Sequence, residues 1–189
     1  MVFSPEAIKT ALTGGGTRPT LFDIIVHNPF GTFVGDAKMK LTAKSTQLPS
    51  SDLGTITVNY FGRGVKYPGD TTYPEWTTTI INDEDFLVRN ELEKWKHAIN
   101  HNRLNIRHAG AGSGPRSYES LGQVIQYGKE GVPLKAYKFY NLWPSSISSI
   151  DVSWDSTDAI EEYSVTWQYD FWEADDLASV VANTVRNIV

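Results

Sequence analysis

His97 and His101 stand four residues apart, with Glu93 one turn before them and His108 not far beyond. On a helix, two imidazoles at that spacing can share a metal ion. The segment HAINH lacks the glutamate that follows the first histidine in zinc metalloproteases, so a general base is missing. On a helical wheel both rings lie opposite the apolar stripe Val88, Leu92, Trp95 and Ile99, which places them on a polar, outward face. Two glycine patterns resemble phosphate loops and fail. Between Gly122 and Gly128 there are five residues instead of four, and neither Ser nor Thr follows Lys129. GAGSG at 110–114 has no following helix whose N-terminus could hold an anion. The acid pairs Asp83/Asp85, Glu161/Glu162 and Asp175/Asp176 would serve glycosidase chemistry only across a cleft and with divergent proton affinities. The first and last pairs also sit where helix starts favour acid. The expectation is a protein without catalytic residues, cofactor or metal.

Composition narrows the class further. The chain has 189 residues, 40% hydrophobic and 21% charged, enough to bury a core without a disulfide or metal. It has no cysteine, which excludes disulfide frameworks, thiolate metal sites and thiol nucleophiles. No stretch approaches the roughly 18 apolar residues of a membrane span. The opening MVFSPEAIKTALTGGG lacks the basic and apolar regions of a secretory signal, so use without Sec export and without a membrane is expected. Net charge is -5 and unevenly spread. Nine acidic residues and one basic residue, Arg186, lie from Asp151 to Val189, whereas 101–150 holds six basic and two acidic. No Lys/Arg cluster of the kind that displaces counterions from a duplex is present, which argues against a DNA-gripping domain.

The elements follow from period and punctuation. Ser4-Pro5-Glu6 reads as a helix start, and Gly14, Gly15 and Gly16 should end that helix by Leu12, leaving 1–17 as an arm with a flexible joint. Strands are expected at 20–27 and within 32–43, where KMKLTAK alternates basic and apolar residues. Segments 55–61 and 73–81 read as one long hairpin with a mobile tip at 62–72. In the first of these, Ile56, Val58 and Tyr60 share a face. A helix is expected over about 84–101, capped by Asn82 or Asp83. Further strands are expected at 122–128, 134–143, 147–154 and 161–172, then a weak terminal helix over 174–189. The last strand puts Tyr163, Val165, Trp167, Tyr169 and Phe171 on one buried face, joined in the core by Trp143 and by Val88, Leu92, Trp95 and Ile99. The fold class is α+β, mostly antiparallel, with two packed sheets in a sandwich or barrel-like arrangement, one flanking helix and a long hairpin.

Three segments carry a family resemblance by their order and spacing: RPTLFDIIV (18–26), YPEWTTTIINDEDFLVRNELEKW (73–95) and FYNLWPSSISSIDVSWDSTDAIEEYSVTWQYDFWE (139–173). Together they resemble the tail tube proteins of contractile-tailed bacteriophages. The resemblance spans 18–173, between the arm 1–17 and a C-terminal extension 174–189. It implies hexameric rings that share an inner β-barrel and stack head to tail inside a contractile sheath, with DNA passing down the lumen. The partners implied are further copies of the chain, the sheath protein, baseplate or initiator and terminator proteins. Tape measure protein and DNA would occupy the lumen transiently, without specific binding. The location implied is the virion tail, after synthesis in the host bacterial cytoplasm. The tube of a type VI secretion or other contractile injection system is the alternative within this class, and a carbohydrate-binding β-sandwich is a distant one.

A conduit must not hold its cargo, and six copies at -5 carry about -30 per ring. Candidate contacts are Arg63, Lys66, Tyr67 and Asp70 near the hairpin tip. The chain continues past the family's Trp-Glu pair, and its 103–118 loop is unusually basic and Gly-rich. Arg103, Arg107 and Arg116 are therefore expected to face Asp175 and Asp176 of the next ring, on the opposite charge bias of the two segments.

Overall fold

The computed structural model describes residues 5–106 and 116–175. In chain order the elements are α1 (Pro5–Ala11), β1 (Phe22–Val26), α2 (Phe33–Thr42), β2 (Ala43–Thr46), β3 (Asp52–Tyr60), β4 (Arg63–Thr72), β5 (Trp76–Ile81), α3 (Leu87–Ile99), β6 (Ser120–Tyr127), β7 (Pro133–Ile147), β8 (Glu162–Gln168) and β9 (Phe171–Asp175). Every strand pairing is antiparallel.

The long strand β7 belongs to two sheets. Its first half, Ala136–Tyr140, lies between β6 and β9, and β6 pairs onward with β1. Its second half, Trp143–Ile147, pairs with β8, which is followed by β5 and β2. The change of sheet falls at Asn141, whose φ of 58 is left-handed. The chain crosses back at the same corner. There the Asp170 N–H donates to the Tyr140 carbonyl at 3.1 Å, and Asn141 Nδ2 donates to Asp170 Oδ2 at 2.6 Å.

That corner corrects the expectation of one strand over 161–172. Alternation holds through Tyr163, Val165 and Trp167, which are buried, and Tyr169, which is half-buried. Beyond Asp170 the pairing moves to the other half of β7, and Phe171 turns outward, 37% exposed and stacked on Tyr140 at 4.7 Å.

The core is aromatic. Register sets Trp76 beside Trp167 and Ile80 beside Tyr163, and Trp76 stacks on Phe139 at 4.4 Å. Val88, Leu92 and Trp95 press α3 onto this layer, while Ile99 and Trp143 pack against it half-buried. The three buried indole N–H groups are satisfied: Trp167 Nε1 donates to Thr78 Oγ1, Trp95 Nε1 to the Tyr118 carbonyl, and Trp76 Nε1 to Thr46 Oγ1 and the Gln47 carbonyl.

Segment 32–43 is helical, so two helices cover the body where one was expected. Its period-two run misleads because helical spacing decides: Gly35 and Met39 are buried four residues apart while Leu41 is 84% exposed. Thr32 caps the helix by accepting the Gly35 N–H at 3.2 Å. Helix α3 begins at Leu87, behind Phe86 in a left-handed conformation and without a side-chain cap. Asp83 and Asp85 accept local backbone N–H groups and ion-pair with Lys38 of α2, at 2.6 and 2.5 Å.

Two further expectations change. Residues 148–161 carry no strand, because β7 continues unbroken to Ile147 and the chain then leaves the sheet. The expected hairpin of 55–61 with 73–81 is replaced by β3 with β4, and β5 goes to β2 and β8. Beyond Asp175 the expected terminal helix lies outside the described residues.

Glu91, only 5% exposed, joins α3 to α2: its Oε1 accepts from the Thr32 N–H at 3.0 Å and the Thr32 hydroxyl at 2.7 Å. A Cβ on Gly35 would lie 1.6 Å from Glu91 Oε2. Gly35→Ala therefore forces Glu91 off Thr32. Helix propensity returns about 1 kcal/mol, and the lost hydrogen bonds cost more, so a net loss of about 2 kcal/mol is expected in urea denaturation.

Tyr163 supplies a pH test. Its hydroxyl is buried without a hydrogen-bond partner among the described residues, and burial pushes its pKa to about 12 from 10.0. Tyr127 is likewise pushed to about 12, by burial and then by its hydrogen bond to Asp23. Each folded pKa is above the unfolded value, so this stabilisation is whole below pH 10.0 and is lost as pH climbs to about 12. Tyr163→Phe is expected to gain about 1 kcal/mol at neutral pH. It should also lessen the alkaline loss, leaving the Tyr127 share, as read by urea midpoints at both pH values.

Candidate assembly surface

Hairpin β3–β4 stands apart from the core. Every residue of β3 is exposed, as is every residue of β4 but one, and among the described residues the hairpin makes no extended contact with another element. Its two-residue turn, Phe61-Gly62, has φ of 46 and 78, the left-handed pair that matches the twist of the flanking strands. Near its base the register slips between Leu53 and Thr55, and Gly54 faces Gly69 so closely that a Cβ on either would meet opposing backbone at 3.1 Å.

Cross-strand pairing sorts the hairpin into two faces. Ile56 pairs with Tyr67, Val58 with Val65 and Tyr60 with Arg63, which gathers five apolar side chains on one side. Thr57 with Lys66 and Asn59 with Gly64 occupy the other. The five are 43–68% exposed. A lone two-stranded hairpin is marginal in water, and a contiguous bare apolar face marks an interaction site. Covering these five side chains is worth on the order of 5 kcal/mol per subunit.

The sheet edges are open as well. Among the described residues β1 pairs only with β6 and β2 only with β5, and β6 reaches along β7 no further than Leu142. Unpaired edges are templates for another chain. On the face of β5 and β8 turned away from the core lie Thr77, Thr79, Ile81, Ser164, Thr166 and Gln168. Glu162, the one charge in this group, is held by Lys44 at 2.5 Å.

The groups singled out for chemistry serve local structure. The His97 and His101 rings lie 4.5 Å apart, and His101 Nδ1 accepts the Arg103 and Leu104 N–H groups, at 3.2 and 3.4 Å. Among the described residues no three His, Asp or Glu side chains converge as a metal site. Lys38 holds the carboxyls of Asp83 and Asp85 below the usual range, chiefly by hydrogen bonding. Asn82 donates to Glu161 at 2.8 Å. Gly122 lies within β6, and Gly128 donates its N–H to Val132 across a turn.

Of the expected contact residues, Arg63, Lys66, Tyr67 and Asp70 all lie on β4. Arg116 is 3.8 Å from both Glu119 and Asp170. Asp175 ion-pairs with Lys138 across β7 and β9. Arg107 and Asp176 lie outside the described residues. Sequence reasoning missed Phe61 and the outward apolar groups Val152, Trp154 and Ile160. The Phe-Gly turn between two β-branched runs was the available signal for the first.

A bare amphipathic hairpin and open sheet edges define a subunit built for assembly. The chain belongs to the phage tail tube protein family, which matches residues 9–175. It is 26% identical over 173 residues to tail tube protein gp19 of Enterobacteria phage T4, a match covering 91% of this chain and 100% of that protein. To the tail tube protein of Serratia phage KSP90 it is 23% identical over 129 residues, 68% of this chain and 71% of that one. Its fold is similar to a chain of the PVC sheath–tube complex, from an extracellular contractile injection system in the extended state. There the TM-score is 0.61 at 18% identity, covering 93% of this chain and 99% of that chain.

Proposed function

We propose that this chain is the non-enzymatic building block of a contractile phage's tail tube, closing as hexamers into rings with a shared inner β-barrel. The rings stack head to tail inside the sheath, between an initiator at the baseplate and a terminator, and the tube is part of the virion tail. The observation that carries this reading is the β3–β4 hairpin, whose apolar face has no partner among the described residues of the subunit. Membership of the phage tail tube family supports a phage conduit over a protein-secreting injection tube. The tube domain is 18–173, and Arg63, Lys66, Tyr67 and Asp70 on β4 contact a neighbouring copy. Arg103 and Arg116 contribute at ring faces.

The open edges of β2 and of the second half of β7 are where neighbouring subunits would continue the sheet into a barrel. In that arrangement the hydroxyl face of β5 and β8 lines the lumen. Threonine, serine and glutamine give DNA no cation to pair with, so passage leaves few counterion-releasing contacts to break. Negative-stain electron microscopy of the purified protein at near-neutral pH tests the reading. Rings or hollow tubes are expected, and a chain that stays monomeric even when seeded with a baseplate initiator would overturn it.

A further inference from the structure

Trp154 projects from the 148–161 loop with its side chain wholly in solvent, 103% exposed, between Val152 at 80% and Ile160 at 71%. Asp155 and Asp158 lie beside it, and neither forms an ion pair among the described residues. A bare indole with acids at its rim has the composition of an interface anchor, since Trp is enriched among the residues that dominate binding.

The same chain carries a complementary receptor. On the outward side of α3 is an open cavity of about 570 Å³, lined by Phe30, Asn90, Glu93, Lys94, His97, Ala98 and Asn102. Arg103 and the 63% exposed Leu104 follow directly after Asn102 at its lip. Glu93 is neutralised by Arg89 at 3.0 Å, whereas Lys94 and Arg103 form no ion pair among the described residues. The cavity thus offers an apolar floor under cationic groups, the inverse of the Trp154 loop.

Arg89, in the first turn of α3, donates to the Ser148 carbonyl where the loop begins, while the cavity runs along the outward face of the same helix from Asn90 to Ala98 and beyond it to Asn102. A knob and a hole carried by different residues of one surface make a heterologous contact, which repeats from copy to copy. We infer that Trp154 of one copy seats in the α3 cavity of the neighbouring copy, with Asp155 and Asp158 facing Lys94 and Arg103. The inference rests on the reading that copies of this chain assemble, and it gives Arg103 an acidic partner in the neighbouring copy.

The absence of native cysteine makes the contact directly readable. A variant with Ser153→Cys and Asn102→Cys keeps Trp154 and all four charged groups. Assembled and treated with a short bis-maleimide, it should give a ladder of covalent oligomers on a denaturing gel, while either single variant gives none. Adding Trp154→Ala should weaken subunit association about thirtyfold or more and thin the ladder accordingly. Arg103→Glu should thin it too, and a compensating Asp155→Arg should restore it. Assemblies of normal yield that show no ladder would overturn the contact and leave the tube reading standing. A parent chain that never assembles, even when seeded, would overturn both.

Discussion

Replacing Ile56 and Val58 with aspartate is expected to abolish ring and tube formation while leaving the isolated subunit as stable as its parent. Both side chains are at least half exposed in the subunit, 56% and 50%, so the monomer loses no core burial. The same positions lie at the centre of the hairpin's apolar face, opposite Tyr67 and Val65. Covering that face with a neighbour would strip water from two carboxylates set among apolar side chains, at a cost of several kcal/mol each. Sedimentation velocity should show a single monomeric species, and the thermal midpoint should stay within a few degrees of the parent. Tubes of normal length would show that the hairpin face is not an interface, and a collapsed midpoint would show that it is part of the core.

Trp167→Ala should have the largest effect on the subunit itself. The indole is fully buried between Trp76 and Trp95, with ring centroids at 6.0 and 5.8 Å, and its N–H satisfies the buried Thr78 hydroxyl. Removing it leaves a cavity where α3 and β5 meet β8 and orphans Thr78 as well. A loss of about 5 kcal/mol follows, the size of a small domain's whole stability. The variant should accumulate poorly and lose its near-ultraviolet circular dichroism. Trp167→Phe separates the two causes: it keeps most of the ring area and drops only the hydrogen bond, so a loss of about 1–2 kcal/mol is expected. Equal losses in the two variants would mean that the hydrogen bond, and not the packing, holds this junction.

Much of the core was legible from period alone. Tyr163, Val165 and Trp167 alternate because a strand puts successive side chains on opposite faces, and Val88, Leu92 and Trp95 recur because a helix returns to the same face each turn. Period is weaker where it is short. KMKLTAK satisfies a strand for four alternations and a helix equally well over the same residues. What selects the helix is remote: Gly35 leaves the space that Glu91 fills, and Glu91 bonds Thr32 from 59 positions away. Phe171 fails for a related reason. The pattern continues through it, but the corner at Asn141 and Asp170 turns the backbone before it is reached.

The assembly surface was partly visible. Apolar alternation at Ile56, Val58 and Tyr60, and the glycines around Lys66, announce a hairpin, and the four expected contact residues fall on β4. Its second strand was mistaken for a mobile tip, because glycine-rich, proline-bearing sequence resembles loop when its partner strand is unknown. ISSIDVSW alternates like a strand up to Trp154 for the complementary reason, yet among the described residues no strand runs alongside 149–154 to pair with it.

Residue order alone says which residues are apolar and on which face of their own element they fall, and with that the class of fold and most of its core. The tertiary structure decided which strands become neighbours, where β7 changes sheet, and that the face of Ile56, Val58 and Tyr67 stays bare while that of Tyr163, Val165 and Trp167 is covered. Both faces carry the same alternation. Local periodicity fixes the direction of a side chain, but burial depends on what arrives from elsewhere in the chain, or from another copy of it, to cover that side.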